Sequence, residues 1–268
     1  MGTKAKEPKR AAVLKVKVNG KIVTLGKGLL TAGDRNTKLA KGEEYVMTCG
    51  LPLMAHRAAG AGINMCEFAS LGCIAGCLVR AGRAMIWNNI NKGRTARTRA
   101  WKQMPELFIA RLIYEIARWL IKAKAAGKRL AVRLNMFSDE AWERLIPQLF
   151  AMFPEVIFYD YTKDPKRAMK FARGEFPANY HLTFSRSENN ERACRRLLKA
   201  GCNVSVVFDL GAGKNRKALP ARWKGFPVID GDQTDMRFAD PRGVVVGLSA
   251  KRTRGFAKAR EAGFFVVV

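Results

Sequence analysis

The chain is short of acid. Its 268 residues hold 22 Asp and Glu against 49 Lys and Arg, a formal net charge of +27. A compact body so charged attracts polyanions and repels its own copies, so nucleic acid is the expected partner. The basic residues are spread along the chain rather than gathered on one amphipathic helix, which argues against a membrane surface. Long apolar runs are missing too. Nowhere do about 18 uncharged apolar residues follow one another, so no membrane span is expected. The basic opening MGTKAKEPKR leads into no apolar signal core, and the expected location is the cytoplasm. Cysteine is scarce, six in all. In a reducing compartment that makes metal or cluster binding the expected use of any tight cysteine group, rather than disulfides. Internal repeats and low-complexity tracts are absent.

What is present is enough apolar material for a large core: 48% hydrophobic residues, with 15 Phe. AAVLKVKVNGKIVTLGKG alternates apolar and polar residues about Asn19-Gly20 and predicts a β-hairpin. Residues 1–44 therefore read as an appendage of hairpin and basic arm. Beyond it come short apolar runs: YVMTC (45–49), LAVRLN (130–135), VIFYDY (156–161), YHLTFS (180–185), NVSVVF (203–208), PVID (227–230), VVVGL (244–248) and FFVVV (264–268). Helical patterns separate most of them, and Gly127, Gly201 and Gly263 each close such a pattern before a strand. Almost wholly apolar strands alternating with helices predict a parallel sheet buried on both faces. Eight candidate strands make a (β/α)8-type barrel over 45–268 the first expectation, with a cysteine-rich and basic insert at 49–102. An open doubly wound parallel sheet is the alternative.

In such folds the chemistry lies beyond the carboxyl ends of the strands. The residues there are Asn135, Ser138 and Asp139; Asp160 and Lys163; Ser185, Arg186 and Glu188; Asp230 and Asp232; and Lys251. Asp and Ser at these places also cap helices, a reading that suits Ser138 and Asp139 ahead of EAWERL. Asp160, inside an aromatic run, and Asp230 and Asp232, in DGDQTD, suit it less. These carboxylates are the candidate catalytic groups. The loop GAGKNRK lacks the glycine spacing and the hydroxyl of a phosphate loop and reads as a basic loop on a phosphate backbone.

MCEFASLGCIAGCL sets Cys66, Cys73 and Cys77 at gaps of six and three residues, unlike the paired spacing of a zinc ribbon. Three thiolates hold either a 4Fe–4S cluster with one iron open or a zinc ion with a fourth ligand, for which Cys49 and His56 are candidates. Buried small residues in a glycine-rich helix pair are the plain alternative. Cys194, Cys202 and His181 read as core. The segment that follows carries Arg80, Arg83, Arg94, Arg97 and Arg99 with Trp87 and Trp101 interleaved. Cations for phosphates beside flat rings for bases predict a nucleic-acid contact.

CEFASLGCIAGCL, LAVRLNMFSDEAWE, FYDYTKDPKRAM, NYHLTFSRSENN and FPVIDGDQTDMRFADPRGVVVGLSAK together resemble an uncharacterised family of bacteriophage proteins, from about residue 30 onward. The resemblance implies activity on DNA in an infected bacterial host. One form it takes is a distant likeness to tRNA-guanine transglycosylase, exchanging guanine for a 7-deazaguanine co-substrate. Asp230 or Asp160 would then attack C1′, with Asp139 or Asp232 moving the proton. Asn135, Ser185 and Glu188 would line the base pocket, with Ser138, Lys163, Arg186 and Lys251 as further substrate contacts. The zinc site of that family lies late in the chain, whereas the cysteines here come early. The early pattern is also similar to the cluster motif of radical S-adenosylmethionine-type phage proteins, whose usual gaps are three and two. A non-catalytic metal-containing DNA- or RNA-binding protein is the third class.

Overall fold

The computed structural model describes residues 15–18, 21–24, 28–33, 44–82, 88–213 and 216–268. Near the start, β1 (Lys15–Val18) and β2 (Lys21–Thr24) pair antiparallel with Val18 opposite Lys21, the register of a two-residue hairpin. The remaining strands form one ten-stranded sheet. Its parallel members, in spatial order, are β4 (Val46–Gly50), β5 (Arg129–Arg133), β6 (Ile157–Thr162), β7 (Tyr180–Ser185), β8 (Val204–Asp209), β11 (Val245–Ser249) and β10 (Phe226–Asp230). The two-residue strands β3 (Thr31–Ala32) and β9 (Arg222–Trp223) flank it antiparallel, and β12 (Val266–Val267) joins the carboxyl end of β8. Every apolar run picked out in the sequence holds one of these strands.

Between β4 and β5 lie α1 (Leu71–Ala75), α2 (Asn88–Gln103) and α3 (Pro105–Ala125). Further along come α4 (Trp142–Leu145), α5 (Gln148–Met152), α6 (Pro165–Ala172), α7 (Glu191–Lys199) and α8 (Phe256–Glu261). Their ends follow local chemistry. Pro105 and Pro165 sit in first turns where no amide partner is lost, and the Asp164 carboxylate accepts from the Lys166 and Arg167 amides. No helix among the described residues is long and apolar enough to cross a membrane.

From β4 to β8 spatial order equals chain order, and right-handed crossovers then place the connecting helices on a single face. Phe108, Leu112 and Ile116 of α3 and Leu149 and Phe150 of α5 pack there on Leu130, Val132 and Phe158. Ala168 of α6 and Cys194, Leu197 and Leu198 of α7 pack on Phe184, Val204 and Phe208. After β8 the direction reverses, because β10 is laid down first and β11 inserts between it and β8. The same handedness sends the β10–β11 connection across the opposite face. Met236 and Phe238 from that connection cover Val46, Ala131, Ile157 and Tyr159, and Arg133 pairs with Asp235 at 2.7 Å.

The closed barrel is therefore corrected: the sheet is open. Its last apolar run gives β12, which pairs with β8 over two residues instead of bridging the far edges. The open, mostly parallel sheet of the alternative is what the structure has; its second face is covered by the 231–244 connection, which carries a 3-10 turn (Arg237–Ala239), and by α8, whose Ala259 shares a cluster with Val207 of β8.

Candidate functional site

At the carboxyl ends of β5, β6 and β7 the side chains expected to do chemistry instead tie the strands together. Asp160 is fully buried and accepts from the Asn135 amide (2.6 Å), Asn135 Nδ2 (3.2 Å) and the Tyr180 hydroxyl (2.7 Å). Burial is the main cause that pushes its pKa up to about 6, with Arg167 and the Tyr180 hydrogen bond opposing. Asn135 in turn accepts at Oδ1 from Ser138 Oγ, the Glu140 amide and Trp142 Nε1. Arg167 stands at the centre, bidentate on Glu143, 3.3 Å from Asp139 and donating to Tyr180 Oη at 2.6 Å. Burial also raises the Asp139 carboxyl, against Arg167.

These contacts correct three assignments. Asp160 offers no atom to a substrate, and Asn135 and Ser138 have spent their polar groups on the turn after β5. Arg167 and Tyr180, unremarked in the sequence, are the hub. Their only sequence sign is that Arg167 shares the inward face of α6 with Ala168.

Asp230 and Asp232 lie at the end of β10, four strand places from β6, where Asp230 is exposed. Asp230 Oδ1 accepts from the Asp232 amide and Asp232 Oδ2 from the Ser249 amide. The four aspartates thus form two separate groups, Asp139 with Asp160 about Arg167 and Asp230 with Asp232 at the end of β10. Lys251 lies exposed just past β11. Arg186 donates to the carbonyls of Gly263 and Phe264 at 2.8 and 2.7 Å, which holds the C-terminal segment to β7. Lys163 is half-exposed at the end of β6 and donates from Nζ to Ser185 Oγ at 2.7 Å.

The cysteine loop leaves the first parallel strand and lies over these same strand ends. The Asp139 amide donates to the Met65 carbonyl at 2.8 Å, fixing the loop to the end of β5. Glu188, beyond β7, accepts from Ser70 Oγ (2.7 Å) and from the Gly72 amide (2.8 Å) at the start of α1. A Cβ at Gly72 would stand 2.7 Å from Phe264 Cβ and 2.9 Å from Glu188 Oε2, so this approach needs glycine. Glu188 is thereby a clamp on the cysteine helix rather than a wall of a base pocket.

Cys66 Sγ accepts from the His56 amide at 3.3 Å, and its thiol lies 3.5 Å from the Phe137 carbonyl. Burial pushes this thiol up to about 12, and the charges of Asp139, Cys77 and Cys73 act on it in the same direction. Each of the three loop thiols is partly exposed. His56 Nδ1 is buried without a hydrogen-bond partner. Cys49, by contrast, is wholly buried in the core with Phe108 and Leu112 of α3, which corrects its assignment as a ligand. Among the described residues no three His, Cys, Asp or Glu side chains gather round a single ion.

The basic segment also differs from expectation. Arg97 donates twice to the Gly28 carbonyl (3.2 and 3.1 Å), and Arg99 Nε donates to the Ala59 carbonyl at 3.0 Å. Arg94 lies 4.0 Å over the Phe137 ring, where burial lowers its pKa to about 10. Trp101 is core, packed on Phe108 and Trp142, with Nε1 donating to Glu140. These groups hold the chain together and present no open base-stacking surface. Arg83, Trp87 and the side chain of Arg80 lie outside the described residues.

Fold and site together define an open, mostly parallel α/β sheet whose first parallel strand throws a three-cysteine loop across its carboxyl edge. The family model described as Gene product 88 matches residues 28–267, and the chain belongs to that family. No curated protein and no solved structure matches it.

Proposed function

We propose that the protein is a phage-encoded iron–sulfur enzyme of the radical S-adenosylmethionine type, acting on nucleic acid, DNA before RNA, in the host cytoplasm. The observation that carries this reading is the place of the cysteine loop. Cys66, Cys73 and Cys77 follow the first parallel strand and are clamped over the strand ends by Asp139 and Glu188. The donor set would suit a cluster: three soft sulfurs on one loop, one of them accepting from the His56 amide.

Cys66, Cys73 and Cys77 would hold such a cluster, which would supply an open iron for S-adenosylmethionine and, given an external reductant, the electron for its cleavage. Around it the chain supplies the half-exposed Lys163 ammonium for an anionic group and a wall made by Phe137 and Phe264. Base exchange draws less support, because Asp160 is fully buried and its carboxylate is taken up by Asn135 and Tyr180.

The test is anaerobic reconstitution with iron and sulfide, then S-adenosylmethionine and a strong reductant, with 5′-deoxyadenosine measured. Wild type is expected to release it and Cys66→Ala to release none. A fully loaded wild type that releases none refutes the radical reading.

A further inference from the structure

We infer that the outer faces of α6 and α7 form the surface that holds a nucleic-acid backbone beside the strand ends; this rests on the nucleic-acid part of the proposed function, not on its cluster. On α7, Arg192, Arg195, Arg196 and Lys199 are exposed at i, i+3, i+4 and i+7, while Cys194, Leu197 and Leu198 fill the opposite side. Together with Glu191 they border a shallow hollow of about 430 Å³. On α6, which lies against α7, Lys166 and Lys170 are exposed, with Arg173 just past the helix end.

Carboxylates do not answer these charges. Glu191 is drawn to Lys224 at 3.0 Å, and Glu175 reaches only Arg173, at 3.8 Å. The other cations of the two faces have no acidic partner among the described residues. Like charges three and four places apart weaken a helix, so such a row is disfavoured unless an anion answers it. One row on α7 spans about 10 Å, and neighbouring helices lie about 8–10 Å apart, giving two cationic ridges with a groove between. That is a shape for a chain of regularly spaced phosphates.

Position adds to charge. Asp164 caps α6 two residues after β6 ends, and α7 begins just beyond Glu188, the clamp on the cysteine loop. A strand lying along these helices is led to the rim of the site. The arginines of α2, occupied by carbonyls and a ring, leave this role open.

The experiment measures binding of the full-length protein to a labelled 20-nucleotide single strand and a 20-base-pair duplex across a salt series. The variant Lys170→Glu/Arg195→Glu/Lys199→Glu is compared with Lys122→Glu/Lys124→Glu/Lys258→Glu, which changes net charge equally elsewhere. The inference predicts at least about 30-fold weaker binding for the first and less than about 3-fold for the second. It also predicts a salt slope smaller by about 2 to 3 in the first alone. Equal losses in both, or no loss in the first, overturn it. Tighter binding of polyglutamate than of DNA of equal charge overturns it in favour of an acidic protein partner. Iron content and S-adenosylmethionine cleavage without nucleic acid are read in the same variants. A change there alone refers to the cluster proposal, and absent binding by wild type refers to the nucleic-acid reading itself.

Discussion

Asp160 has no exposed surface and three donors on its carboxylate, so its removal strands buried polar groups rather than a reaction. Asp160→Ala is expected to destabilise the protein by about 3–4 kcal/mol in chemical denaturation, and Asp230→Asn by less than about 0.5 kcal/mol. The titration has a sign. A carboxyl raised to about 6 from 3.8 binds protons in the folded state that the unfolded chain has lost, so its contribution to stability falls as pH rises from about 4 to 6. The wild-type protein should therefore lose ground to Asp160→Asn across that window and run parallel to it above. A flat difference would mean that Asp160 is ionised throughout. The aromatic run FYDYTK is a sign of burial, and its aspartate passes for a site group in the sequence because burial and catalysis perturb a carboxylate alike. Trp101 misled in the same way: α2 is polar on most sides, and its one buried seam is hidden among arginines that end on backbone carbonyls.

At the scale of elements, strands were the legible part. A parallel sheet covered on both faces writes its strands as unbroken apolar runs, and all eight runs hold strands. Closure was not legible, because whether β12 bridges to β4 or adds to β8 depends on pairings that a two-residue strand hardly encodes. The crossing of 231–244 over the second face, sealed by Arg133 and Asp235, is likewise a contact between distant residues. The cysteine loop was legible as a cluster of thiols but not as a clamped one. Glu188→Ala should free the start of α1, raising amide exchange over residues 70–76 and lowering iron loading several-fold while the melting temperature changes little. Gly72→Ala should lower loading too, through the clash with Phe264. Normal loading in both would show that the clamp is not needed to seat a cluster.

For the whole molecule, charge and architecture point the same way. A net charge of +27 suits the polyanion partner proposed here, and the sheet is open rather than closed on itself. Composition gives the charge but not its place, since cations that serve the fold and cations that would serve a partner look alike in a sequence. The account turns on what the loop cysteines hold, and iron and acid-labile sulfide assays on anaerobically prepared protein test this most directly. They should give about four of each per chain in wild type and in Cys49→Ala, with loss in each of Cys66→Ala, Cys73→Ala and Cys77→Ala. Zinc in place of iron, or equal iron in all five proteins, would contradict it.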